Sequence, residues 1–174
     1  ERGRPGPVHL NIAFREPLSS AISSQEMNLL LQPGGVSSHE PTSPQSPRVV
    51  TLNPEPGTVV IAGHRAGPEA EKLARELGAP LFAEAHSGAR FGKNLVVAYR
   101  ELVQNPPRSQ TINRVVCVGR PTLTREIQNL LSRDDIEHVV WQRHEPEPSN
   151  LSGAARVVDA IQLSRSASDA ETRA

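Results

Sequence analysis

Hydrophobic and polar positions divide the chain into three kinds of stretch. Residues 7–14 alternate, with Val8, Leu10 and Ile12 on one side and His9 and Asn11 on the other, the period of a half-buried strand. Residues 15–47 lose that period: Ser, Pro and Gly dominate, with Pro33, Gly34 and Gly35 in a row and a Ser/Pro-rich run over 37–47. Such a stretch buries little and predicts a long connection. It holds one short apolar piece, Met27 to Leu31, suited to docking on a neighbour. Pro47 to Leu52 predicts a short strand near a sheet edge.

From residue 57 the pattern is regular. Thr58 to Ala62 is a continuous β-rich apolar run ending at Gly63. Pro68 to Leu77 sets Ala70, Leu73, Ala74 and Leu77 at helical spacing, and Gly78 closes it. Pro80 to Ala83 predicts a second strand, and Asn94 to Gln104 a helix with Leu95, Ala98, Tyr99 and Leu102 on one face. Arg114 to Val118 predicts a third strand, and Thr122 to Ser132 a helix through Ile127, Leu130 and Leu131 with Thr124 in a capping position. Glu137 to Trp141 is the fourth strand and Ala155 to Ile161 the fifth. Continuous apolar strands require burial on both faces, so the alternation predicts an α/β fold: a Rossmann-like, doubly wound parallel sheet with helices on both faces. There is no internal repeat and no heptad pattern.

Composition narrows the picture. A chain of 174 residues can build one domain with a core. Its aromatics are only Phe14, Phe82, Phe91, Tyr99 and Trp141, so that core is Val, Leu, Ile and Ala. The 19 basic and 19 acidic residues cancel, which argues against a nucleic-acid or anionic-membrane partner. No apolar run approaches the roughly 20 residues of a membrane span. The single cysteine, Cys117, excludes an internal disulfide and a cysteine-cluster metal site, and its place in a predicted buried strand marks it as core. These features fit a reducing, cytoplasmic setting. The chain opens at Glu1 without methionine and its tail, Ser164 to Ala174, is small and polar, which reads as a segment cut from a longer protein.

In such sheets ligands sit beyond the carboxyl ends of the strands. The four loops there each carry arginine: Arg65; Arg90; Arg120 with Arg125; and Arg143. Arginines converging near helix N-termini would form an anion site. The plainer alternative is that arginine is the default cation here, since only Lys72 and Lys93 are lysine. Gly63 to Gly67 occupies the place of a dinucleotide loop, but Arg65 stands where the second glycine should be and would obstruct a pyrophosphate. The six histidines have no metal-ligand spacing, and His64, His86 and His144 fall on different loops. Ser87 follows His86 directly, which does not face a nucleophile to its base, and no GxSxG is present. Asp134 and Asp135 read as a solvated turn, and Trp141 as core or rim. These residues make a scaffold with an arginine-bearing crevice and no self-sufficient catalytic set.

Residues 6–18, GPVHLNIAFREPL, resemble the GPVHxNxPFREPL signature of the 2-succinyl-5-enolpyruvyl-6-hydroxy-3-cyclohexene-1-carboxylate synthase family of menaquinone biosynthesis. Ala13 departs from it, standing where the family usually has proline. The segments Val59 to His64, Ala83 to Arg90 and Gly119 to Leu123 also resemble actinobacterial members, in the same order. The family is a three-domain, thiamine-diphosphate- and magnesium-dependent transferase. The resemblance implies the last strand of its pyrimidine-binding domain at 1–18, a Pro/Ser-rich linker at 19–56, its Rossmann-like central domain at 57–163 and a tail at 164–174.

The cofactor motifs of the flanking domains are absent, so this segment is expected to hold no cofactor and to be inactive alone. The whole enzyme would decarboxylate 2-oxoglutarate and join the succinyl unit to isochorismate. Arg125 matches the family's basic residue at the start of a helix facing the active site, where it would pair with a substrate carboxylate. Arg120 and Arg90 line adjacent loops, as parts of the substrate crevice or of a regulatory anion site. The implied partners are the flanking domains of the same chain, small carboxylate substrates and further copies in a homodimer or homotetramer. Two readings compete: a non-catalytic regulatory module binding an anionic metabolite, and the central domain of an acetolactate-synthase-type enzyme with a bound nucleotide. Arg15 to Leu18 and the missing GxGxxG favour the first family.

Overall fold

A computed structural model describes residues 9, 11, 21, 23–31, 46–105, 111–143, 150 and 153–168. The predicted strand over 7–14 lies almost wholly outside them. The chain divides into two units, Glu1–Ser46 and Pro47–Ala174. In the first, helix α1 spans Ser24–Leu31. Its start is a reciprocal capping box: the Glu26 N–H donates to Ser23 Oγ at 3.2 Å, and the Ser23 N–H donates to Glu26 Oε2 at 2.9 Å. That backbone donor, followed by the Ser23 hydroxyl, holds the exposed Glu26 carboxyl below its ordinary pKa. Met27 and Leu31 are exposed on this helix.

The second unit is the α/β body. Its strands are β1 (Val49–Leu52), β2 (Thr58–Ala62), β3 (Leu81–Ala83), β4 (Arg114–Val118), β5 (Glu137–Trp141), β6 (Arg156–Val158) and β7 (Ala160–Leu163). Its helices are α2 (Pro68–Leu77), α3 (Tyr99–Gln104) and α4 (Arg125–Leu131). Five strands form one sheet in the order β3-β2-β4-β5-β6, every pair parallel. Val60 lies beside Val116, and Val116 beside Val139.

The alternation hidden inside the continuous apolar strands divides the core in two. Val60, Ala62, Val116, Val118 and Val139 face one side, where they join Ala70, Leu73, Ala74 and Leu77 of α2 and Val50 and Leu52 of β1. Val59, Ile61, Val115, Cys117 and Val140 face the other, against Tyr99 of α3 and Ile127, Leu130 and Leu131 of α4. Helices therefore cover both faces, as the sequence predicts for a doubly wound sheet. Ile127 is fully buried, and truncating such a residue to alanine costs about 3 kcal/mol.

Two expectations are corrected. The helix expected over Asn94 to Gln104 forms only from Tyr99. Before it, the backbone is drawn along the β3 edge: the Leu81 N–H donates to the Asn94 carbonyl at 2.8 Å and the Val96 N–H to the Leu81 carbonyl at 3.0 Å. This covers a sheet edge that would otherwise be open.

The single strand expected over Ala155 to Ile161 is two, broken at Asp159. There the N–H groups of Asp159 and Ala160 both donate to the Arg48 carbonyl, while the Asp159 carboxylate accepts from the Arg48 N–H and guanidinium. The chain thus leaves β5 and pairs instead with β1, as a separate two-stranded parallel sheet. The short strand expected over Pro47 to Leu52 is thus found as Val49–Leu52, paired within the α/β body although it falls in the stretch assigned to the linker.

Thr124 stands at the N-cap of α4 as expected, but its side chain makes no cap bond. Its hydroxyl is engaged elsewhere, 2.9 Å from the Tyr99 hydroxyl.

Candidate functional site

The strand order places β2 and β4 side by side, so the connections reverse direction between them. This is the switch point where such sheets usually admit a ligand. Here the backbone closes it. His64 and Arg120 exchange N–H···O bonds of 2.8 and 3.0 Å, and the Gly63 N–H donates to the Val118 carbonyl at 2.9 Å. Contact this close requires glycine. A Cβ on Gly63 would lie 2.0 Å from the Pro121 nitrogen, and one on Gly119, at φ +70°, would lie 2.3 Å from the His64 carbonyl oxygen. The departure from GxGxxG therefore has a structural counterpart: these glycines admit another loop's backbone rather than a pyrophosphate.

Beside that closure lies the turn leading into α4. Its backbone donors converge on one carboxylate, that of Glu84 at the end of β3. Glu84 Oε1 accepts from the Leu123 N–H at 2.9 Å and the Thr124 N–H at 3.1 Å, and Oε2 from the Thr122 N–H at 2.9 Å. The Glu84 side chain has no exposed surface. A turn leading into a helix start carries backbone donors that need partners, and a buried anion satisfies those of Thr122, Leu123 and the N-cap Thr124. Gln128 Nε2 holds the Pro121 carbonyl at 2.8 Å, and the Tyr99–Thr124 hydroxyl bond ties the end of the turn to α3. His86 lies alongside, Nδ1 3.8 Å from Glu84 Oε2 and Nε2 3.4 Å from Thr122 Oγ1.

The predicted arginines separate into distinct roles. Arg143 is engaged by the fold: it pairs with Glu69 in the first turn of α2 at 2.8 Å and lies 5.0 Å above the Trp141 ring. Arg90 donates to the Ala83 carbonyl at 3.2 Å. Arg65 adopts φ 61°, a left-handed backbone conformation. Arg120 and Arg125 are exposed at either end of the same braced turn, with no hydrogen bond or ion pair to their side chains among the described residues.

Of the three loop histidines, His64 and His86 come together with ring centroids 5.4 Å apart; His144 lies outside the described residues. Cys117 is buried in the core, as expected. Among the described residues no three His, Cys, Asp or Glu side chains gather in a way that could hold a metal ion. A groove of about 230 Å³ lies between α2 and β7, with Leu73, Trp141, Ile161 and Leu163 among its walls.

Sequence reasoning missed Glu84 as a site residue. An acid directly after an apolar strand looks like any loop residue until the backbone that it binds, 38 to 40 positions away, is in place.

Comparison with known proteins adds what geometry alone does not. No family model matches the chain. The chain is 45% identical over 161 residues to the 2-succinyl-5-enolpyruvyl-6-hydroxy-3-cyclohexene-1-carboxylate synthase of Leifsonia xyli, across 92% of this chain and 27% of that protein. It is 42% identical over 146 residues to the synthase of the same name from an Arthrobacter species, across 79% of this chain and 23% of that protein. A Synechococcus protein of that name is 33% identical over 167 residues, across 87% of this chain and 28% of its own length.

Over these residues the chain is homologous to one segment of those synthases. It spans about a quarter of the length of the curated relatives it matches. The braced turn with Arg120 and Arg125 lies within the stretch shared with those relatives, and no helix among the described residues is long and apolar enough to cross a membrane.

Proposed function

We propose that this chain is the central-domain part of a 2-succinyl-5-enolpyruvyl-6-hydroxy-3-cyclohexene-1-carboxylate synthase, and that Arg125 pairs there with a substrate carboxylate. The whole enzyme joins the succinyl unit of 2-oxoglutarate, with loss of carbon dioxide, to isochorismate in menaquinone biosynthesis. It works in the cytoplasm as a homodimer or homotetramer. The observation that carries this reading is the 45% identity over 161 residues with a protein of that name.

Thiamine diphosphate and magnesium belong to the flanking domains in this reading. The described residues do not fit them. No acidic or histidine cluster is available to a metal. The donors of the α4 turn, which could have met a diphosphate, are filled by Glu84. No step through the cofactor is therefore assigned to this segment. Its own contribution is binding: a guanidinium held at the first residue of α4, with a planar fork matched to a carboxylate. Arg120 and Arg90 contribute positive charge on neighbouring loops. Nothing in the comparisons favours the reading as a stand-alone regulatory module.

Steady-state kinetics of the full-length synthase test this. Arg125→Ala is expected to raise KM for one of the two carboxylate substrates about tenfold or more, the size of one charge-assisted hydrogen bond, with Arg125→Lys in between. Unchanged KM values for both substrates contradict the role given to Arg125.

A further inference from the structure

We infer that Glu84 is a positioning residue for substrate binding: its buried carboxylate fixes the Thr122–Thr124 backbone and so sets where Arg125 presents its guanidinium. The inference rests on the role proposed for Arg125 and deepens it. Three observations carry it. First, Glu84 comes from the end of β3, a different strand from β4, which leads into this turn; its three bonds therefore lock one loop to another across the sheet edge. Second, the turn has no side-chain cap of its own, because the Thr124 hydroxyl is directed to Tyr99. Third, Arg125 is the residue immediately after Thr124, so rotation of the Thr124 peptide moves the Arg125 Cα directly.

The electrostatics suit the role. An arginine at a helix start faces the positive end of the helix dipole, an unfavourable place for a cation. The buried Glu84 carboxylate, on the N–H groups of the turn just before α4, places a negative charge near that helix start and offsets the field at Arg125. The same carboxylate fills the Thr122, Leu123 and Thr124 donors, so a substrate anion does not compete for them. Glu84 touches no substrate in this account and acts only through the turn.

Kinetics of the full-length synthase separate the possibilities, with Glu84→Gln, Arg125→Ala and the double variant compared. Glutamine keeps the shape but lacks the charge and turns an amide N–H₂ toward a backbone donor. Glu84→Gln is expected to raise KM about tenfold for the same substrate that Arg125→Ala affects, with a smaller change in kcat. The double variant should have the KM of Arg125→Ala alone, since both changes remove one interaction.

Where Glu84→Gln does not yield folded enzyme, Glu84→Asp, which keeps the charge on a shorter arm, takes its place with the same expected direction. A Glu84 variant that lowers thermal stability or kcat but leaves both KM values unchanged, while Arg125→Ala raises one, overturns the positioning role and leaves the proposed function standing. Additive KM effects in the double variant overturn it as well. If Arg125→Ala changes neither KM, the role of Arg125 fails and the positioning role of Glu84 fails with it.

Discussion

The turn after β2 and the turn after β4 each deliver a helix to the same sheet edge, and each brings an acid and an arginine to that helix start. After β2 the acid is Glu69, inside the first turn of α2, and Arg143 from beyond β5 pairs with it at 2.8 Å. Acid and arginine neutralise one another, with Glu69 still well exposed. After β4 the first turn of α4 also carries a paired acid, Glu126, 3.4 Å from Arg100, but a second acid, Glu84, is buried and directed at the backbone, and Arg125 at the helix start is left without a partner among the described residues. One turn uses its charges to hold the fold together. The other uses a hidden charge to hold the backbone and leaves an exposed one available. The Glu69–Arg143 pair serves structure, whereas the acid that meets peptide N–H groups leaves the neighbouring Arg125 outside the fold's own pairing.

The comparison can be broken most severely where the two turns meet. Gly63→Ala drives a methyl group into the backbone of Arg120 and Pro121 and is expected to cost about 4 kcal/mol or more in chemical denaturation, disturbing both turns at once. Glu84→Ala removes three bonds and leaves backbone donors unsatisfied, so about 3 kcal/mol is expected from the same measurement. Tyr99→Phe removes one buried hydroxyl bond from the α4 turn and should cost about 1 kcal/mol. Glu69→Ala should cost only about 0.5 kcal/mol, because its pair is partly exposed and screened. A larger loss for Glu69 than for Glu84 would invert the contrast.

A pH series supplies the smallest effect, and it comes from neither turn. Burial first, and the charge of Arg133 second, hold the β5 residue His138 below its ordinary value of 6.5. The unfolded chain therefore binds more protons just below that value. The His138 contribution is present in full above pH 6.5 and is lost as pH falls toward its folded value. Thermal melts from pH 7.5 to 5.5 should show that decline, and His138→Gln should flatten it.

Much of the fold is legible in the sequence because both strand and helix leave period-specific marks. Thr58–Ala62, Arg114–Val118 and Glu137–Trp141 are found at the boundaries their apolar runs predict, and Pro68 and Gly78 bracket α2 as their backbone chemistry requires. The failures share one cause, which is backbone hydrogen bonding to a distant segment. Residues 94–96 have the spacing of a helix, yet they follow the β3 edge because Leu81 offers it both a donor and an acceptor. The break at Asp159 depends on Arg48, 111 positions away.

The candidate site divides in the same way. Loop position marks Arg65, Arg90, Arg120, Arg125 and Arg143 alike, and only the family resemblance sets Arg125 apart. Nothing local in the sequence tells that Arg143 would be taken by Glu69, or that Glu84 would occupy the anion position of α4.

Amide hydrogen exchange at Thr122, Leu123 and Thr124 tests the contrast most directly. The side chains of Thr122 and Leu123 are exposed, so an uncapped turn would exchange quickly there. With Glu84 accepting all three N–H groups, these amides should be protected in the native protein. In Glu84→Gln they should exchange at least about tenfold faster, while the amides of β4 keep their protection. Rapid exchange of all three in the native protein would contradict the account, because Glu84 would then not hold the turn from which Arg125 extends.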